Sequence, residues 1–585
     1  MSPIQQQLLG LGGAKKVGWI MRMYHDGHSQ AEWQGDSGSC SSFNTQSKNC
    51  YKGVTGDDST GIWFSLGSRT DPTNNLSDTD KLRNYGRNIY KIDADGGITA
   101  KCIVSQEGYM STSGGIWVND QEKLICQQNS SAHCISLSGT NFSHHWTVGN
   151  GMNAQGHSNA PYNYHGDGWP NESLGGKGHS YTSWHWAASD KLWYWSEFKE
   201  QMDGGGASYY GSIGGIPVNV SSGAWDTNFA NSGNFCSNYQ AQYGPHCIQT
   251  VNGRTYFAMT MWNLYRNSHR VNSMHRWDTN AQTYSSAYTG PYASSNHAWD
   301  RLITYAPGSW SYSNSAYDNN YFHIWVHDTG SSEKIYVGGS KKQYSSESSN
   351  SYSGNWGEGY ENNFVGKIGN DNNQFDWVSN LHGGNTSTYG GQSMDVGGSD
   401  EDYGGVMSVR PDGNGNCISV HAAQNHVVSG KREILIAKWN DTTGALISVY
   451  GIACITNGYN WKDGQGKAKG CLTTPEAVYI NVWTEATNAN SYRGQPIILK
   501  MPHDIGNLAG NHTVGGLTFT IGAATGVTQG SMSKNRIGFA EDGYNPIFNT
   551  AYDQSRDTLL SGSGNGRYSL ESGYPSTSTG IVDLK

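Results

Sequence analysis

Charge is scarce in this chain. Asp, Glu, Lys and Arg make up 15% of its 585 residues, against about 25% in an ordinary soluble domain. The net charge of −9 and the short basic runs, Lys15–Lys16 and Lys341–Lys342, argue against phosphate neutralisation along a nucleic acid. No run approaches the roughly 20 apolar residues of a membrane-spanning helix. Met1–Gly10 lacks the basic start and unbroken apolar stretch of a secretory signal. There is no CxxC pair, which removes the usual sequence support for structural zinc. P-loop, HExxH, EF-hand and nucleophile-elbow patterns are missing too. Long amphipathic helical windows are absent, and with them the coiled-coil and bundle classes.

What the chain has in excess is Gly, with 78 residues or about 13%, together with 36 Tyr and 21 Trp. Such an aromatic load excludes a disordered chain. Strand-like runs alternate apolar and polar residues and stop at Gly, Asn, Asp or Ser clusters. Gly115–Val118, Lys191–Phe198, Thr255–Trp262, Tyr321–His327, Glu433–Trp439 and Ala477–Trp483 are examples. Ten cysteines suggest two local pairs, Cys40 with Cys50 and Cys236 with Cys247, but small buried thiols are the simpler expectation.

A repeat emerges when the turns are aligned. NIYKIDADGGITAKCIV (Asn88–Val104) and EILIAKWNDTTGALISVYGI (Glu433–Ile452) each read strand, Asx/Gly turn, strand. His269–Ala287 and Gln495–Gly515 share the outline. Preceding strands or hairpins lie at Gly404–Val420, Ala477–Trp483 and Gly253–Trp262. Radial repetition of such units leaves only short edges, which a large antiparallel protein would otherwise expose. The expectation is an all-β chain forming a single large β-propeller of six to eight blades, seven preferred. Its predicted organisation is a leader at 1–16, a connecting segment or extra strand at 17–50, the propeller at 51–546 and a polar C-terminal extension at 547–585. A series of β-sandwiches is the competing architecture.

The leader SPIQQQLLGLGGAKK (Ser2–Lys16) resembles the N-terminus of structural proteins of marine tailed bacteriophages. Gly397–Val420 and Ile434–Ile452 are similar to propeller repeats of those proteins, and Ile497–Ala524 to the way such propellers end. The likeness covers about a third of the chain. From Cys102 to Asn380 it is one of composition and hairpin rhythm only, with far more Trp, Tyr and His. The resemblance implies a virion component, assembled in the host cytoplasm in multiple copies. It is expected to be tail-associated or fibre-like, with capsid decoration as the alternative. A secreted carbohydrate-binding protein or carbohydrate-active enzyme is the reading from a different class.

Two candidate sites follow. Ile4, Leu8, Leu9 and Leu11 are too few for a core and suit docking into a groove or sheet edge of another virion protein. Trp169, Trp184, Trp186, Trp193 and Trp195 crowd one region. Alternation puts Trp193 with Trp195 on one face, and Trp184 with Trp186 on one face. Such aromatics are core by default, and where exposed they suit stacking on host surface polysaccharide.

Acidic pairs at Asp57–Asp58, Asp93 with Asp95 and Asp400–Glu401–Asp402 fall in predicted turns, where Asp binds its own backbone. No catalytic residue, metal ligand or cofactor is therefore assigned, and the chain is expected not to be an enzyme. His144, His145, His157, His165, His179 and His185 have no diagnostic metal spacing, and Asp371, Asn373 and Asp376 read as an Asx-rich turn.

Overall fold

The computed structural model describes residues 16–25, 54–69, 85–106, 116–118, 123–128, 131–148, 183–188, 191–201, 209–223, 234–237, 240–251, 254–263, 269–278, 300–303, 322–328, 333–343, 360–368, 375–383, 405–461, 471–486, 495–531, 547–549, 568–572 and 577–585. Among them there is no α-helix, only a 3-10 turn at Ile505–Leu508.

The first strand, β1 (Gly18–His25), stands apart from the meanders that follow it. Blade 1 comprises β2 (Val54–Asp57), β3 (Gly61–Arg69), β4 (Tyr85–Ile92) and β5 (Ile98–Gln106). Blade 2 is β6 (Ile116–Val118), β7 (Lys123–Gln128), β8 (Ser131–Ser138) and β9 (Asn141–Val148). Blade 3 is β10 (Ser183–Ala188), β11 (Lys191–Gln201), β12 (Tyr209–Asn219) and β13 (Asn234–Ser237). Blade 4 is β14 (Gln240–Val251), β15 (Arg254–Asn263), β16 (His269–Asp278) and β17 (Asp300–Ile303). Blade 5 is β18 (Phe322–Asp328), β19 (Glu333–Gln343), β20 (Tyr360–Ile368) and β21 (Phe375–Gly383). Blade 6 is β22 (Gly405–Pro411), β23 (Asn416–Gln424), β24 (Arg432–Asn440) and β25 (Leu446–Cys454). In blade 7, β26 (Tyr459–Trp461) and β27 (Cys471–Thr473) lie on β28 (Ala477–Ala486), which pairs with β29 (Gln495–Pro502).

These are seven antiparallel sheets taken in chain order. Inner strands of neighbouring blades touch: β2 with β6, β10 with β14, β14 with β18, β18 with β22, β22 with β27, and β27 with β2. Trp146 of β9 reaches the turn after β12, joining blades 2 and 3. The ring is a seven-bladed β-propeller.

Blade 7 is completed from the other end of the chain. β1 pairs with β29 through Trp19↔Lys500 to Arg22↔Ile497. The Gln495–Gly515 segment is therefore not the hairpin its outline suggested, because β1 occupies the place beside β29. From Pro502 the chain turns back as a belt. The hairpin β30 (Gly510–Val514) and β31 (Leu517–Ala523) adds to β25 of blade 6. β32 (Val527–Ser531) adds to β21 of blade 5, and β33 (Ile547–Asn549) to β13 of blade 3. β34 (Tyr568–Ser572) adds to β5 of blade 1, and β35 (Thr577–Leu584) to β1 itself. The belt thus visits the blades in reverse order and pairs the outer edges of five sheets. Sheet-forming residues run from 18 to 584, a wider span than the 51–546 suggested by the hairpins. The second strand of the His269 unit likewise lies further on, at Asp300–Ile303.

β1 feeds two cores because its residues alternate. Trp19, Met21 and Met23 pack with Val54, Ile62, Phe64 and Tyr90 of blade 1. Ile20 joins the blade 6–7 core with Ile436, Ile452, Leu499 and Phe519. All four β1 side chains are fully buried. At about 1.5–3 kcal/mol each, their burial is worth roughly 6–12 kcal/mol before ordering costs.

A recurrent lock joins blades. Trp19 Nε1 donates to Ala94 O at 3.1 Å, Trp146 Nε1 to Val220 O at 2.6 Å and Trp377 Nε1 to Asp441 O at 2.8 Å. In each case an indole on the fourth strand of one blade meets the turn after the third strand of the next. The turns are Asp93–Gly96, Asn219–Gly223 and Asn440–Gly444, each ending in a left-handed Gly: Gly96 at φ 86°, Gly223 at 70° and Gly444 at 71°. A Cβ on Gly223 would lie 2.8 Å from the Trp146 ring, and one on Gly444 2.6 Å from Trp377. Glycine is needed there for both backbone sign and close approach. Lys500 and Lys367 donate to the same carbonyls in two of the locks.

Two outcomes are expected. Gly444→Ala should lower the unfolding temperature clearly more than Gly413→Ala. Both have positive φ, 71° and 77°, but a Cβ at Gly413 meets nothing within 4 Å; left-handed strain of about 1–2 kcal/mol is common to both and only Gly444 adds a clash. Deleting Met1–His25, which removes β1, should abolish cooperative thermal unfolding, whereas a chain starting at Lys16 should unfold like the parent.

Candidate functional site

The leader joins the propeller at Lys16, on the seam between blades 7 and 1. Three contacts pin that residue. Its backbone N–H donates to Asp95 Oδ1 at 3.0 Å, its carbonyl accepts from Lys500 Nζ at 3.0 Å, and its Nζ pairs with Asp583 at 2.9 Å. The Asp93–Gly97 turn is rigid enough to serve as one jaw. Asp93 Oδ1 accepts from the N–H groups of Asp95 and Gly97 at 2.9 and 2.7 Å. Lys500 is buried, and its ammonium also donates to Ala94 O at 2.9 Å. The Lys16–Asp583 pair is about one-third exposed on each side and contributes little stability by itself, of the order of 0–1 kcal/mol. Its effect is directional, since the chain entering β1 is fixed against both blades. Gly18 pairs with Leu584, so the start of β1 and the end of β35 lie side by side at this edge of blade 7.

Ile4, Leu8, Leu9, Leu11 and Trp169 lie outside the described residues, as do His157, His165, His179 and the Asp400–Asp402 cluster. Trp184 and Trp186 fall on β10, with Trp193 and Trp195 on β11. The register sets Trp184 opposite Tyr194 and Trp186 opposite Leu192, while Trp193 faces His185 and Trp195 faces Ser183. The two Trp pairs therefore take opposite faces of blade 3, and no one face carries all four.

Several carboxylates among the described residues are engaged in structure. Asp57 accepts from the backbone and hydroxyls of Ser59 and Thr60. Burial opposes its ionisation, but these bonds outweigh it and hold the carboxyl below its usual range. Asp58 accepts from Tyr479 Oη at 2.9 Å. Asp412 binds the backbone N–H groups of Asn414 and Asn416 in its own turn. Glu433 spreads its buried carboxylate over the N–H groups of His426, Val427 and Val428.

Sequence reasoning passed over one pair with nucleophile–base spacing. Ser419 Oγ lies 2.6 Å from His421 Nε2 on β23. Both residues have no exposed surface, Trp439 Nε1 donates to the same hydroxyl at 2.7 Å, and burial pushes the imidazole down to about 3. The pair is packing in blade 6, out of a substrate's reach. Alternation of small polar residues on a buried strand was the only signal available. Among the described residues no group of three His, Cys, Asp or Glu could hold a metal ion, and no helix is long and apolar enough to cross a membrane. Cys102, Cys134, Cys417, Cys454 and Cys471 are buried thiols outside any disulfide.

No protein-family model matches the chain, and no curated protein matches it. Among solved structures it is similar to polysaccharide lyase Uly1, at 7% identity and TM-score 0.40 over 77% of this chain and 90% of that one. It is similar to the N-terminal domain of Nup159 at 6% identity and TM-score 0.29, over 84% and 97%. It is also similar to the Cellvibrio cellulosa alpha-L-arabinanase complexed with arabinohexaose at 9% identity and TM-score 0.20, over 63% and 97%. At these identities and scores the similarities carry no argument about activity.

Lys500→Met should leave Lys16 O without its buried cation. Local opening eased by about 1.4 kcal/mol would speed tryptic cleavage after Lys16 roughly tenfold, as read by mass spectrometry over time.

Proposed function

We propose that this chain is a structural component of a tailed-bacteriophage particle, anchored through its N-terminal leader. The observation that carries the reading is the pinned residue Lys16. The segment resembling phage leaders continues directly into the strand that closes the propeller, so load on the leader is delivered to the whole ring. Edge coverage by the belt fits a stable platform that must not pair with other sheets. The scarcity of charge and the self-satisfied carboxylates fit a non-catalytic role.

Within this reading we favour a tail-associated or fibre-like position, with host surface polysaccharide as the ligand of one face of blade 3. Either Trp184 and Trp186 or Trp193 and Trp195 would supply the stacking surface, since the register separates the pairs. Capsid decoration is the alternative position, separated from the first by copy number.

Deleting Met1–Gly12 should leave a folded propeller that no longer incorporates into particles. Quantitative mass spectrometry of purified particles checks this. Incorporation of the truncated chain at the parental copy number would overturn the anchoring role.

A further inference from the structure

Arg410 is a cation largely withdrawn from water without a counter-ion. It lies near the end of β22, the innermost strand of blade 6, and reaches the innermost strands of both neighbours. Its guanidinium carbon is 3.9 Å from the centre of the Trp325 ring on β18 of blade 5. Its Nη1 donates to Thr473 O on β27 of blade 7 at 2.8 Å. Asp58, just past the end of β2 in blade 1, acts on the guanidinium through space, while its carboxylate accepts from Tyr479 Oη. Burial pulls the Arg410 pKa down to about 10, and Asp58 opposes that shift without cancelling it. The innermost strands of blades 5, 6, 7 and 1 thus converge on this one charge at one mouth of the propeller axis.

Arginines withdrawn from water are ordinarily paired. A guanidinium offers several N–H donors in a planar fork. Among the described residues its acceptor is Thr473 O alone, and no carboxylate lies within ion-pair distance. None of its nitrogens is among the buried atoms left without a partner, so the remaining donors open onto accessible space. Trp325 also keeps part of its surface exposed beside the fork.

We propose that this axial mouth binds a uronate residue of an acidic polysaccharide, its carboxylate on the free edge of Arg410 and its ring against Trp325. A carboxylate matches the fork with two parallel hydrogen bonds. An indole beside that fork suits a carboxylated sugar, whose C–H face packs on an aromatic ring. A phosphate, carrying more charge, is disfavoured by Asp57, Asp58 and Asp412, which follow the same innermost strands. The site is separate from the tryptophan faces of blade 3 and does not require that the chain sit in a particle.

Isothermal titration of the full chain with tetragalacturonate, against maltotetraose as the uncharged control, tests the site. Tetragalacturonate should bind roughly tenfold more tightly than the control, and more weakly as salt is raised. Arg410→Lys keeps the charge and a donor for Thr473 O but loses the fork, so affinity should fall roughly tenfold. Asp58→Asn removes a repelling charge and leaves Tyr479 an acceptor, so affinity should rise about threefold. If Arg410→Lys fails to fold, Asp58→Asn decides alone. Equal binding of the two tetrasaccharides, no binding of tetragalacturonate, or affinity unchanged in the folded variants would overturn the site. Inorganic phosphate bound as tightly as tetragalacturonate would overturn the sugar assignment as well.

Discussion

The whole ring depends on β1. Seven meanders laid down in order would leave blade 7 one strand short and the circle open between blades 7 and 1. β1 closes that gap, hydrogen-bonded to β29 on one side and β35 on the other. Its alternation supplies Trp19, Met21 and Met23 to one core and Ile20 to the other. Closure by a strand from the opposite end of the chain couples the first and last blades, so neither core at the seam is complete until β1 is in place.

Two further devices spread that closure round the molecule. Indole locks tie blade 7 to 1, 2 to 3 and 5 to 6 through a carbonyl that the turn already presents outward. The belt then crosses blade boundaries from outside. Gln529 shows how tightly, since its side chain accepts from Leu446 N in blade 6 and donates to Ser379 Oγ in blade 5. Thr525 holds the belt to blade 6 alone, with its N–H and hydroxyl both donating to His426 O. A propeller built this way resists opening at a single interface.

The hairpins were legible in the sequence because their determinants are local. Asp93 and Asn440 fold their own turns through Asx hydrogen bonds, and Gly96 and Gly444 supply the left-handed step. The propeller class followed from repetition of such units. The partner of β1 could not be read, because Trp19 pairs with Lys500 and nothing in either segment encodes that separation. The last part of the belt, 547–585, was expected to be a polar extension for a similar reason. YSLES is a short edge strand without an apolar period, and its hydrogen bonds depend on an edge elsewhere. Asp504 and the polar residues after Pro502 looked like a hairpin turn but lead the chain away from blade 7. At the candidate site, the leader's apolar residues were visible as too few for a core. The pinning of Lys16 was not, since Asp95, Lys500 and Asp583 converge only in the folded ring.

On the proposed function, closure and anchoring would be the same structural event, because the strand that completes the propeller follows directly on the leader in sequence. Imaging purified particles at near-atomic resolution tests that most directly. The account predicts density for the leader running from Lys16 into a neighbouring virion protein. A propeller attached only through another segment, or particles that lack the chain, would contradict it.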